Sequence, residues 1–147
     1  MVSKKIFLFL FIFLTAQSCK NNNKPKYDNE KLLINYLQKK QGLTIITEKS
    51  YVMAIMQIGI CGACTEFNKT KIVEYISQSS NLSTKILILS DKNEKLQQYF
   101  LSNCGSDLIL LTDNGVDITK YGLRYSKDLL LKIRNNTVYE YSFLEGK

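Results

Sequence analysis

At 147 residues, 45% of them hydrophobic and 11% aromatic, the chain is long enough for one domain with a core and too short for two. Its net charge of +7, from 20 Lys and Arg against 13 Asp and Glu, is scattered rather than gathered into a stripe; this argues against nucleic-acid binding and for a solvated, lysine-rich surface compatible with anionic head groups. There is no histidine, which excludes His-ligated zinc and copper sites, Ser-His-Asp triads and Cys-His nucleophile pairs together.

Lys4 and Lys5 open the chain and an uncharged apolar run follows over residues 6–16. That is the length of a signal-peptide core and well short of the ~20 residues a spanning helix needs. The run ends at Ala16-Gln17-Ser18-Cys19, which resembles a bacterial lipobox, with Ala16 where leucine is usual. The resemblance implies a lipoprotein signal peptide over residues 1–18, lipidation of Cys19, and a periplasm-facing protein of the cell envelope held at a membrane. An ordinary cleavage site nearby and an uncleaved anchor are the alternatives. Residues 19–28 read as the lipidated cysteine and a flexible tether, polar and cationic around the only proline, Pro25. Residues 29–147 read as the domain. Export would place its thiols in an oxidising compartment.

Within the domain, Asp28 is placed to cap a helix over 29–41 that Gly42 ends. Strands are expected over 43–47 and 51–58, the second almost wholly apolar and so buried on both faces. A helix from about 61 to 79 should bury Phe67, Ile72, Val73 and Ile76. Next come a strand over 85–89, a helix that Asp91 and Glu94 would open as a capping box, a short strand over 108–111, a turn at 113–115 and a helical turn over 116–121 closed by Gly122. Strands over 129–133 and 137–143 meet at Asn135-Asn136, a hairpin signal. Alternating strands and helices followed by a hairpin define an α/β fold, a mixed central sheet flanked by helices. Few residues follow the last strand, so a C-terminal helix is missing or vestigial.

Four cysteines carry what chemistry there is: Cys19, Cys61, Cys64 and Cys104. The pair Cys61-Gly62-Ala63-Cys64 falls between a buried strand and a helix. A structural zinc site needs four ligands, and one pair with a lone Cys104 does not supply them, so no metal and no cofactor is expected. At a helix N-terminus the free N–H groups and the dipole stabilise a thiolate. Cys61 would then be the exposed nucleophile and Cys64 the resolving thiol, with protein thiols or disulfides as partners. A structural disulfide in a secreted domain is the alternative, although so short a loop gains little from closure. Cys104 is expected to pack inside. Glu66 should complement the helix dipole, and Tyr139 and Tyr141 are ordinary sheet residues.

From the dithiol onward the chain resembles the TlpA/ResA-type branch of thioredoxin-like proteins, the redoxins. The matching pieces are 85–89, 93–103, 108–111, Asp113-Asn114-Gly115 and Tyr121-Gly122-Leu123-Arg124. The resemblance implies a thioredoxin-like fold over about residues 43–143 and a membrane-tethered thiol-disulfide oxidoreductase. Three features depart from that family. Ile60 stands where an aromatic residue usually precedes the dithiol. Lys127, give or take a residue and so including Ser126, takes the place of the family's cis-proline; its loop is expected to be trans, and Lys127 could favour a Cys61 thiolate, although a solvated loop lysine is the plainer reading. The acid that many members bury beneath the dithiol has no match in 51–58. These departures keep a second function open, a non-catalytic binding module with the pair as a staple. A thiol peroxidase ranks below both, because residues 57–64 lack the Pro and Thr expected around a peroxidatic cysteine.

Overall fold

The apolar runs that read as buried strands form the middle of a five-stranded sheet in order β3-β2-β1-β4-β5. The computed structural model describes residues 26–46, 48–58, 62–114 and 117–145, the first three residues of the 62–114 segment by their backbone alone. Helix α1 spans Glu30–Lys39, β1 Ser50–Met56, α2 Gly62–Ser77, β2 Ser83–Leu89, α3 Glu94–Cys104, β3 Leu108–Thr112, α4 Asp117–Lys120, β4 Asp128–Arg134 and β5 Thr137–Leu144. β1, β2 and β3 run parallel, so α2 and α3 serve as the crossovers that parallel pairs require. β4 and β5 are antiparallel additions on the other side of β1. This is the mixed, helix-flanked sheet expected from the sequence, and no helix follows β5 among the described residues.

Strand periodicity divides the core in two. Met53, Ile55, Ile86, Ile88, Leu129 and Leu131 point to one face, where Leu33, Tyr36 and Leu37 of α1 cover them. Ala54, Met56, Leu87, Leu89 and Leu130 point to the other and meet Ile72, Ile76, Leu96 and Phe100 of α2 and α3. β1 and β2 are covered on both faces, which is why their sequences do not alternate.

Four local expectations are corrected. Residues 43–46 form no strand: the Leu43 N–H donates to Leu37 O and the Ile46 N–H to the Tyr51 hydroxyl, so these backbone donors are spent on α1 and on a side chain rather than on a sheet edge. Asp28 does not cap α1; Asn29 holds that position without a side-chain cap. Asn93, not Asp91, caps α3, accepting from the Leu96 N–H at 3.0 Å, because the Asp91 carboxylate already accepts from the Lys92 N–H. Phe67 is 37% exposed. The inward stripe of α2 runs through 68, 72 and 76 at four-residue spacing, and Asn68 takes the place next to Phe67 that faces the sheet.

The turn signals hold. Gly42 and Gly122 adopt positive φ where their helices end, and Asn135 and Asn136 both do so in the hairpin, as a type I′ turn requires.

Candidate functional site at the carboxyl end of β1

The two crossover units bring the chain out of β1 and into α2 at one end of the sheet. Residues 57 and 58 leave β1, and α2 starts at Gly62. Of the candidate residues, Cys19 and Cys61 lie outside the described residues. Cys64 stands in the first turn of α2, four residues before Asn68 in sequence. A cysteine so placed lies among the unpaired N–H groups of a helix start, the setting that favours a thiolate.

The loop between β1 and α2 is held from two sides. The Ile58 N–H donates to Ser90 Oγ at 2.8 Å, just past the end of β2. The Gln57 N–H donates to Asp128 Oδ1 at 2.6 Å, and Asn68 Nδ2 donates to Asp128 Oδ2 at 2.7 Å. Asp128 opens β4 and is only 5% exposed. A single carboxylate thus joins the entry of the loop to α2 one turn beyond Cys64. Burial pushes its carboxyl above the ordinary aspartate value, opposed by the two donors. Among the described residues no ion pair reaches it. Asn68 is buried as well, and its Oδ1 has no partner.

Asp128 is a buried acid, and it lies on β4. Residues 51–58 hold no acid, whereas Asp128 directly follows Ser126 and Lys127, the place assigned to the missing proline. The available signal was an aspartate opening an otherwise apolar strand, Asp128-Leu129-Leu130-Leu131.

The loop before Asp128 is fixed by tyrosines. Tyr125 and Tyr27 share a hydrogen bond between hydroxyls at 2.5 Å, and burial raises the Tyr27 hydroxyl to about 12. Tyr27, which the sequence reading left in the tether, also packs on Tyr141 with ring centroids 5.2 Å apart. Tyr36 donates to Asp113 Oδ2, which also accepts from the Ile118 N–H, so the start of the 113–127 connection is tied to α1. All described peptide bonds are trans. Ser126 is exposed, and the Lys127 ammonium reaches Glu145 Oε1 at 2.8 Å on the surface. Glu66 pairs with Lys69 on the exposed side of α2. Cys104 ends α3, buried and free, and burial pushes its thiol up to about 11.

No cluster of three metal-ligating side chains occurs among the described residues, and no helix there is long and apolar enough to cross a membrane. No protein-family model and no curated protein sequence matches the chain. Among solved structures it is similar to a secreted disulfide oxidoreductase of Mycobacterium tuberculosis homologous to Escherichia coli DsbE. The identity is 13% over 67% of this chain and 72% of that one, with a TM-score of 0.48.

Proposed function

We propose that the chain is an extracytoplasmic thiol-disulfide oxidoreductase of the TlpA/ResA type, with a signal peptide over 1–18 and a lipid on Cys19 that holds it at a membrane. Cys61 is the nucleophile. Its thiolate attacks a substrate disulfide, forming a mixed disulfide and releasing one substrate sulfur as thiolate. The Cys64 thiolate then attacks Cys61 Sγ, the second substrate sulfur leaves with the bonding pair, and the Cys61–Cys64 disulfide remains. The substrate gains two electrons and the protein loses two; run backwards, the same steps oxidise a substrate dithiol. Ser126 and Lys127 lie on the loop assigned to substrate contact.

The observation that carries this reading is the place of Cys64 in the first turn of α2, directly after the buried parallel strand β1. A helix start lowers the cost of the thiolate that both steps need. The test is the reduction potential of the Cys61–Cys64 pair, equilibrated first against glutathione and then against dithiothreitol. A value above roughly −300 mV with fast exchange supports a cycling dithiol. A pair that exchanges only after unfolding makes it a staple in a partner-binding module, a reading favoured by the engagement of Lys127 with Glu145.

A further inference from the structure

The sheet face that α2 covers changes character towards the amino end of β1. Met56, Ala54 and Val52 are apolar and point to that face in turn, but Ser50 ends the row. The neighbouring strands change with it. On β2, Leu87 gives way to Lys85 and Ser83, and on β4, Leu130 gives way to Lys132 and Arg134. Ser83, Ser50 and Arg134 are paired in register across β2, β1 and β4. Between these rows and the end of α2 lies a cleft of about 320 Å³, walled on the other side by Tyr75 and Ser80. Its volume is that of a small-molecule site, for which ~300–1,000 Å³ is usual.

β5 is irregular at this cleft. Lys132 stands opposite Glu140 and Ile133 opposite Val138, which leaves Tyr139 as the extra residue of a β-bulge. A bulge re-aims a side chain. Here it brings two consecutive residues to the α2 side of the sheet. The Glu140 carboxylate pairs with Lys132 at 2.8 Å, and the Tyr139 ring lies under the Arg134 guanidinium, 5.8 Å from centroid to Cζ, in the wall of the cleft. The charge of Lys132 is thereby matched, whereas among the described residues no carboxylate pairs with Arg134.

The lining is rich in donors and holds no acid among its described residues. Arg134 spends Nε on Ser50 Oγ at 3.2 Å, which leaves its two terminal amino groups. Ser50 Oγ accepts that bond and Ser80 Oγ accepts from the Leu82 N–H, so each hydroxyl keeps its hydrogen to donate. The Tyr75 hydroxyl is buried and has no partner. Burial, and after it the charge of Glu140, holds that hydroxyl protonated, a donor without an acceptor.

We propose that this cleft binds a small phosphate ester, whose terminal oxygens accept from Arg134, Ser50 and Ser80, with the Tyr75 hydroxyl turning out to join them. Three terminal oxygens and up to two negative charges suit donors that converge from two strands, a loop and a helix; a carboxylate offers two oxygens in one plane. The guanidinium fork is the side chain best matched to phosphate. A soluble ester and a lipid headgroup share this chemistry. Leu82, between the lining residues Ser80 and Ser83, is 91% exposed and could enter a lipid layer beside a held headgroup. The site is independent of the oxidoreductase reading, because it lies at the amino end of β1 and the dithiol follows the carboxyl end.

The test is an NMR titration of the full chain, labelled with nitrogen-15 in maltoside micelles at constant ionic strength. Glycerol 3-phosphate is the soluble probe, phosphatidic acid mixed into the micelles the lipid probe, and acetate the comparison anion. The Ser50, Ser83 and Tyr139 amides and the Arg134 Nε–H are expected to shift together and saturate, with a dissociation constant below about 1 mM. Saturation by glycerol 3-phosphate supports the site with a soluble ester as ligand, and saturation by phosphatidic acid alone supports it with a lipid headgroup. Arg134→Gln should weaken binding about tenfold or more, the loss of a charged hydrogen bond, and Tyr75→Phe, which keeps the ring, by less. Shifts that do not saturate with either probe, an equal response to acetate, or shifts spread over lysines remote from the cleft would each overturn the proposal, and none of these needs a variant. Unchanged affinity in a folded Arg134→Gln chain would overturn it as well.

Discussion

Asp128→Ala removes the one acceptor shared by the Gln57 N–H and the Asn68 amide. Each bond is short, 2.6 and 2.7 Å, and each ends on a carboxylate. Hydrogen bonds to a charged group contribute about 1.5–3 kcal/mol apiece, so the gross loss is about 3–6 kcal/mol. Part returns, because the carboxylate no longer has to be stripped of water, and the upward displacement of its carboxyl shows that burial outweighs the two donors. A net loss of about 2–4 kcal/mol is expected, in the range that broken buried networks produce. Urea unfolding followed by circular dichroism, with the cysteines kept oxidised, measures it. Asp128→Asn adds the pH dependence. A carboxyl whose folded value lies above its unfolded one makes a contribution that is complete below the ordinary value of 3.8 and is lost as pH rises through the folded value. The wild-type chain should therefore gain on Asp128→Asn as pH falls through that window. A loss below about 0.5 kcal/mol for Asp128→Ala, or a pH step of opposite sign, would refute the reasoning.

Asn136→Val puts a β-branched residue at φ 57° in the hairpin and should cost about 1–2 kcal/mol in thermal unfolding, while Asn136→Gly should cost nothing. Cys104, buried with its thiol near 11, should resist alkylation at neutral pH and react once denaturant is added, as located by peptide mass. Asp117 is held below its ordinary value chiefly by its hydrogen bond from Lys40. That stabilisation is present above the ordinary aspartate value and lost as pH falls through the lower folded one, so Lys40→Met should lower the melting temperature near neutral pH and converge with the wild type as pH falls below the folded value.

Those parts of the fold that depend on local signals were legible. The apolar runs of β1, β2 and β4, the glycines at helix ends and the paired asparagines of the hairpin state their structure within a few residues. Residues 43–46 show the limit of such reading. Leu43, Ile45 and Ile46 have strand composition, but a strand also needs its N–H groups free to pair with a sheet edge. Here the Leu43 and Ile46 N–H groups go to Leu37 O and to the Tyr51 hydroxyl, partners that composition does not announce. Phe67 failed for a related reason: hydrophobicity places it inward, whereas the phase of the α2 stripe, set by Ile72 and Ile76, places Asn68 there.

The candidate site divides along the same line. The dithiol is a local motif, carried by four residues between a strand and a helix that the sequence also announces. The hydrogen bonds of Asp128 join residues 71 and 60 positions apart in sequence, and neither an aspartate before three leucines nor an asparagine between Phe67 and Lys69 has any local mark of function. Its logic appears only when the two meet, because a buried carboxylate with two donors and no cation is costly unless something offsets its charge or can receive its proton. Asn68 supplies one of those two donors and is itself left with a buried oxygen that has no partner. An acid placed on β1, immediately before the dithiol, would have been visible in the motif. On β4 the acid is hidden from a linear reading, yet its two hydrogen bonds tie Gln57 and Asn68 to the strand that follows Ser126 and Lys127.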